Sequence, residues 1–555
     1  MRGSASFRLL SASLCVACVQ WTEAAPGSGA FPGSVEGLSV EEQVGQLFMP
    51  VIDEKSAARY EEHIRSGRLG GGLLRWNRFS APELRRFTAK LRRWASASPG
   101  KVPFLVAVDH EGGALFTQHS FGATVFPGNM ALGAAGSAEL AAAAAAQSAA
   151  ELGSFGIRVN FAPVLDVNSD PRNPIIGVRS FGEDPADVAR LGAAALRGYR
   201  DGGVLAAAKH FPGHGDTDVD SHTGLPVLDR SIEELEAVDL VPFRAAVEAG
   251  VPMIMTAHIS VPALGTGPLP VTLSSAALRG LLRERLGFDG VIVSDSLTMR
   301  AITRSLDVPE AAVRAFLAGC DLLLPGKAAY PPVYERFLEA VRDGRIGRER
   351  LAESVRRVLE AKRRMAERRP EVEPDPGLAG RIADAAVTLL RDDASLLPLR
   401  PQGGKSLLVI ALRPSRFSDH VEGFVRELKR RHAPTRGHAL SPNPDEKAAE
   451  LAVRRARDAD FLIVGTYLWG NEPPVAQRRL VRRLLDLGKP TVLVSLMNPY
   501  DARHYPAAKT VVLTYGPTRA SLSAAARLIF GEIPSKGRLP VTVSDRFRRG
   551  SGFGN

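Results

Sequence analysis

Short apolar runs recur along the first two thirds of the chain, at 45–52, 70–76, 103–109, 158–166, 205–211, 252–258, 290–295 and 321–325. Longer segments of helical character separate them, among them an alanine-rich stretch at 138–152 and a segment at 231–249 that opens on the capping residue Ser231. Continuous apolar runs of this length suit parallel strands buried on both faces. Strand alternating with helix over eight such units predicts a (βα)8 TIM barrel. The polar residues fall where that fold would use them. Asp109, Asp166, His258 and Asp295 end their runs, and His210 lies one position from the end of another. Carboxyl ends of barrel strands form the active-site face, so these residues mark it.

A helix at 347–368 ends this pattern, and 370–377, rich in proline and acidic residues, reads as a linker. A second α/β pattern follows, with a helix from 378 and strand-like runs at 406–412, 461–467, 491–496 and 510–514. Helical segments at 445–457 and 477–487 lie between them, which predicts a smaller α/β/α sandwich. The resulting division is a barrel over 38–369, a linker over 370–377, a second domain over 378–545 and a frayed tail over 546–555.

The length of 555 residues agrees with two domains, and 45% hydrophobic with 24% charged residues is ordinary for a globular protein. The formal charge of +11 comes from dispersed arginines, not from a basic stripe interleaved with aromatics. That argues against a nucleic-acid partner and allows a weak attraction to acidic polymers. At the N-terminus, Arg2 and Arg8 precede an apolar run at 9–19 and the small-residue site Thr22-Glu23-Ala24. This is the order of a signal peptide over 1–24, followed by a leader over 25–37, and it implies an exported protein, periplasmic or secreted. The run is too short for an integral membrane span. Cys18 lacks the leucine of a lipoprotein box three residues before it, so a lipid anchor there is the alternative to a soluble form. Removal of the signal leaves Cys320 alone in apolar surroundings, a core residue with no disulfide partner.

The densest polar cluster is Lys209-His210-Phe211-Pro212-Gly213-His214-Gly215-Asp216-Thr217-Asp218-Val219-Asp220-Ser221-His222. A helical zinc pair at His210 and His214 is disfavoured by the intervening Pro212 and Gly213. A calcium loop starting at Asp216 lacks its glycine, which is Ser221, and its glutamate, which is Val227. A plain solvated loop leaves Lys209 and His210 unexplained at the end of a buried strand. The remaining reading is catalytic. Asp220 can orient the His222 imidazole and raise its basicity as an acid/base dyad, and Asp295 can supply a partner across the site.

The cluster resembles the motif of the family 3 glycoside hydrolases in their N-acetylglucosaminidase branch, K-H-F-P-G-H-G followed by D-S-H, with every position present. Further resemblance lies in 38–48, 176–182, 287–295 and 318–325, and 386–393 is similar to the start of the second domain of longer members. The resemblance implies Asp295 as nucleophile, His222 as acid/base and Asp220 as its partner. It implies that Asp109, Arg179, Lys209 and His210 hold the terminal sugar and its N-acetyl group, with no metal and no cofactor. The implied substrate is a carbohydrate with terminal N-acetylglucosamine, from cell-wall fragments or chitin-type oligosaccharides, hydrolysed with retention through a covalent glycosyl-enzyme. The glycine-rich loop is expected to swing His222 in as substrate binds.

Two positions depart from the family pattern. Ala114 and Thr117 stand where the motif after Asp109 carries arginines, which predicts fewer charged donors for the sugar's distal hydroxyls. Ser296 follows the nucleophile where a second aspartate is common. Competing readings are a β-glucosidase or β-xylosidase that takes Glu472 of the second domain as its acid, and a carbohydrate-binding protein without catalysis.

Overall fold

The computed structural model describes residues 34–75, 79–117, 120–365, 371–470 and 472–552. The expected signal segment and Cys18 lie outside them. Seven strands form one parallel sheet in chain order: β1 (Gly71–Leu74), β2 (Leu105–Val108), β3 (Val159–Asn160), β4 (Leu205–Phe211), β5 (Met253–Thr256), β6 (Val291–Ser296) and β7 (Leu322–Leu324). The eighth expected strand, 45–52, closes the ring as a bridging segment without regular strand geometry. Its Met49 N–H donates to Leu323 O (3.0 Å) on one side, and its Pro50 O accepts from Leu73 N (2.9 Å) on the other. Pro50 has no N–H to offer, so an unbroken ladder cannot form there. The result is the expected TIM-type barrel.

The sheet is buried on both faces, as its unbroken apolar runs require; all seven residues of β4 are buried. The alanine-rich helix Ala138–Ser154 has a packing reason. A Cβ on Gly198 would stand 2.1 Å from Ala142 O, and one on Gly202 would stand 2.4 Å from Ala146 O. This helix and Pro185–Asp201 therefore meet backbone to backbone, which only small residues allow.

The six-stranded second sheet has β8 (Thr388–Asp392), β9 (Leu407–Leu412), β10 (Thr435–Leu440), β11 (Phe461–Thr466), β12 (Thr491–Ser495) and β13 (Thr510–Leu513) in the order β10-β9-β11-β12-β13-β8. All pairings are parallel except that of the edge strand β8. Two strands go beyond the sequence expectation. β10 is an edge strand whose Arg436 and Gly437 are exposed, so it carries no apolar run. β8 lies in the stretch that the resemblance marked as the start of this domain. Cys320 is buried and unpaired among the described residues, and burial pushes its thiol far up.

The tail is not frayed over its described part, 546–552. Gly550 N donates to Leu539 O (2.8 Å), Leu539 N donates to Ser551 O (2.9 Å), and Arg549 pairs with Asp184 (2.9 Å) and Asp187 (3.3 Å) on the barrel. These bonds supply the order that its polar composition concealed. The same face carries a polar junction between the domains. Glu183 accepts from both Thr542 N and Thr542 Oγ1 at 2.6 Å, and Asn168 Nδ2 donates to Tyr500 Oη (3.0 Å).

At the opposite end of the barrel, Lys362 is 1% exposed. Its Nζ donates to Gln46 Oε1 (2.7 Å), Gly70 O (3.0 Å) and Pro103 O (2.7 Å), one acceptor for each proton of an ammonium. It ties the last barrel helix, Arg348–Arg364, to the segments that lead into β1 and β2. Lys362→Met keeps the apolar stem and strands these acceptors, so it is expected to lower barrel stability by about 3 kcal/mol. Thermal unfolding tests this; an unchanged melting temperature would refute the tie.

Candidate active site

The polar strand ends converge on one cleft at the carboxyl face of the barrel, lined among others by Asp109, Glu111, Arg179, Lys209, His222 and Asp295. Its floor is a network of four charges. Lys209, at the end of β4, bonds Asp109 Oδ1 (2.9 Å) and Glu111 Oε1 (2.8 Å). Arg179, from the long loop after β3, holds Glu111 through two bonds of 2.8 Å. Burial by itself would raise the Glu111 carboxyl, but Arg179 and Lys209 pull it down to about 2. Burial likewise opposes the charge on Arg179 and Lys209, and the carboxylates reverse that, leaving both pKa values raised. Asp109 is the most open member, with its side chain 26% exposed, and it faces the cleft.

Glu111 was not singled out from the sequence, although it stands two residues beyond Asp109. Gly112 and Gly113 follow it at φ of +84° and +71°, a turn that disfavours side chains and brings Phe116 back over the site. Phe116 O accepts from Glu111 N (2.9 Å), and its ring lies 4.3 Å from the Arg179 guanidinium carbon. Phe116 itself has φ +43°, a conformation that a bulky residue holds only under constraint.

Asp166 organises the histidines. Its carboxylate bonds His210 Nδ1 (2.7 Å), His210 N (3.1 Å) and His214 N (2.8 Å). His210 thereby turns Nε2 toward the cleft, 3.5 Å from Arg179 Nη2. His214 is held by Thr217 (2.7 Å) and Ser221 (3.1 Å), and burial lowers its pKa to about 4. These bonds account for the histidine spacing that suggested zinc.

His222 and Asp220 lie farther out on the same loop. Asp220 Oδ1 is 2.8 Å from His222 Nδ1, and the His222 side chain is 43% exposed. The hydrogen bond from Asp220 raises the His222 pKa; partial burial opposes this, and the Asp220 and Asp295 charges reinforce it. Asp295 lines the same cleft from the end of β6. Burial would raise its carboxyl, but His258, His210, the Ser296 N–H and His222 bring it to about 2. That N–H donates to Asp295 Oδ1 (2.6 Å), so Ser296 contributes through its backbone, while its hydroxyl meets Thr298 (2.9 Å). His258, noted only as a strand end, bonds Thr272 Oγ1 (2.7 Å) and the carbonyl of Ser296, the neighbour of Asp295 (3.1 Å).

All seven sequence-selected site residues therefore belong to this cleft and its loop. Two other expectations change. Ala114 and Thr117 are buried and line a separate cavity toward the second domain, not the cleft that holds Asp109 and Asp295. Glu472 pairs with Arg478, its side chain is 60% exposed, and it is not among the cleft residues.

Glu111→Gln would keep the shape of the network, remove the carboxylate that Arg179 pairs with and leave Lys209 paired with Asp109. It is expected to cost about 3 kcal/mol of stability and to raise KM roughly tenfold. Glu111→Asp, which keeps the charge, should lose less of both; equal losses in melting temperature and KM would count against a charge role.

The sequence matches two family models, the glycosyl hydrolase family 3 N terminal domain over residues 39–361 and the family 3 C-terminal domain over 387–549. The beta-hexosaminidase A of Pseudoalteromonas piscicida is 31% identical, with 86% of this chain and 89% of that protein covered. A beta-N-acetylglucosaminidase/beta-glucosidase of Cellulomonas fimi is also 31% identical, over 91% of this chain and 94% of its own length. Among solved structures, a family 3 beta-N-acetylglucosaminidase from Paenibacillus sp. str. FPU-7 superposes with a TM-score of 0.83 at 35% identity, covering 91% of this chain and 99% of that one. With both domain models matched in order and a relative aligned over most of both lengths, this chain belongs to glycosyl hydrolase family 3.

Proposed function

We propose that this glycoside hydrolase is an exported retaining exo-β-N-acetylglucosaminidase that releases terminal N-acetylglucosamine from cell-wall fragments or chitin-type oligosaccharides. The observation that carries the reading is the Asp220–His222 pair, 2.8 Å apart, on a cleft that also holds a half-buried, ionised aspartate, Asp295. The names of the relatives support the sugar. Export rests on the N-terminal sequence pattern. Among the described residues no helix is long and apolar enough to cross a membrane.

In the proposed reaction Asp109, Arg179, Lys209 and His210 hold the terminal sugar and its N-acetyl group. The Asp295 carboxylate attacks the anomeric carbon while protonated His222 gives its proton to the glycosidic oxygen, and the leaving sugar departs. Neutral His222 then takes a proton from water, whose oxygen displaces Asp295 from the anomeric carbon. Asp220 is the positioning residue: it fixes which imidazole nitrogen faces the substrate and favours the protonated form. The exposed loop with His222 is the part of the cleft placed to move as substrate binds.

The test is turnover of aryl β-N-acetylglucosaminide and aryl β-glucoside. The N-acetylglucosaminide should be preferred, and turnover of the glucoside alone would sink the proposal. Asp295→Ala should lose roughly a thousandfold or more in kcat. His222→Ala should lose roughly 10²–10⁴-fold on a poor leaving group and much less on an activated aryl one.

The pH profile follows from the raised His222 pKa. The first step needs protonated His222, so kcat/KM should fall as pH rises through a value above 6.5. In Asp220→Asn the imidazole loses its anionic partner, and the protonated fraction at pH 7 drops. The alkaline limb should move to lower pH. An unmoved limb would remove His222 as the group that titrates.

A further inference from the structure

The cavity lined by Ala114 and Thr117 lies between the barrel and the second domain and measures about 650 Å3, within the range of small-molecule sites. Its position in the second domain is informative. The strand order β10-β9-β11 reverses direction between β9 and β11, and open α/β sheets bind ligands in the crevice beyond the strand ends at such a reversal. Arg416 follows β9, Tyr467 follows β11, and Arg416 Nη2 reaches Tyr467 Oη at 3.3 Å. The mouth of the crevice thus opens onto the catalytic barrel.

The lining combines cationic groups with aromatic faces. Arg416 lies over the Phe417 ring at 4.8 Å and Arg519 is exposed to the cavity; neither has a carboxylate partner among the described residues. His420 Nδ1 donates to Pro517 O (2.7 Å), so its Nε2 is the nitrogen free to meet a ligand. Among the described residues of the lining, Asp419 is the one acidic side chain against Arg416 and Arg519, so positive charge predominates. Phe116, which caps Arg179 in the sugar cleft, also lines this cavity and separates the two.

We propose that this crevice is a second binding site, which takes a sugar bearing an anionic group. Arg416 and Arg519 meet the charge, and the half-buried Phe116 ring supplies an apolar face for the sugar's C–H surface. The charge can be a carboxylate or a phosphate, and both chemistries suit the two guanidinium groups.

The experiment is titration calorimetry of the full chain with glucuronic acid, glucose 6-phosphate, glucose and inorganic phosphate. Binding of at least one acidic sugar, at least roughly tenfold tighter than glucose and than inorganic phosphate, is expected from charge-assisted recognition. The Arg416→Gln/Arg519→Gln double variant should lose that preference, and Ala114→Arg, which fills the cavity from the barrel side, should abolish binding. Asp295→Asn should bind the acidic sugar as wild type does, which separates this site from the cleft. Aryl N-acetylglucosaminide turnover by the double variant should match wild type, so failure here is distinct from failure of the proposed hydrolase activity. Equal binding of glucose, equal binding of inorganic phosphate, or retention of the preference in both variants would overturn the proposal.

Discussion

The burial of Glu111 between Arg179 and Lys209 is the interaction on which the catalytic face depends. An unpaired charge is costly to remove from water, so each of these groups is tolerable only when its partners are in place. Lys209 comes from the end of β4, Glu111 from the turn after β2, and Arg179 from the loop after β3. Forming the network therefore sets the relative positions of three neighbouring βα units. It also leaves Asp109 as the carboxylate most open to the cleft.

The second domain enters through the same loop. Asn168 accepts from Gly177 N (2.9 Å) with its Oδ1 and donates to Tyr500 with its Nδ2, while Glu183 binds Thr542 twice. Arg179 lies between these two anchors. No second-domain side chain is required by the proposed chemistry, yet the loop that delivers Arg179 is clamped between the domains. Bracing is thus a physical contribution of the second domain to the sugar site.

The catalytic loop is built on the opposite plan. Its base is buried: His214 bonds Asp166, and Arg230 bridges Asp216 (2.9 Å) and Asp239 (3.2 Å). Asp239 lies against Gly213, and burial raises its pKa to about 7 against the pull of Arg230. Beyond these ties, Asp220 and His222 are held mainly by each other and are partly exposed. A rigid base with a lightly held tip suits the proton carrier proposed for His222.

Much of this was legible in the chain. Period and length of the apolar runs determined a parallel barrel and a second layered domain, because burial on both faces leaves no room for polar alternation. The residues at 209–222 and Asp295 marked the site, since polar groups at successive strand ends have few other reasons to recur. Tertiary structure alone decided the rest. Glu111 is one carboxylate among many until Arg179, distant in sequence, reaches it. Ala114 and Thr117 read as lost sugar contacts until the chain's path turns them toward the second domain. β10 lacks an apolar run because an edge strand exposes one side, and the 546–552 segment is ordered by Leu539 and by barrel partners more than 360 residues away in sequence. Local pattern reports which face of an element meets the core; only the folded chain determines which charges and cavities meet one another.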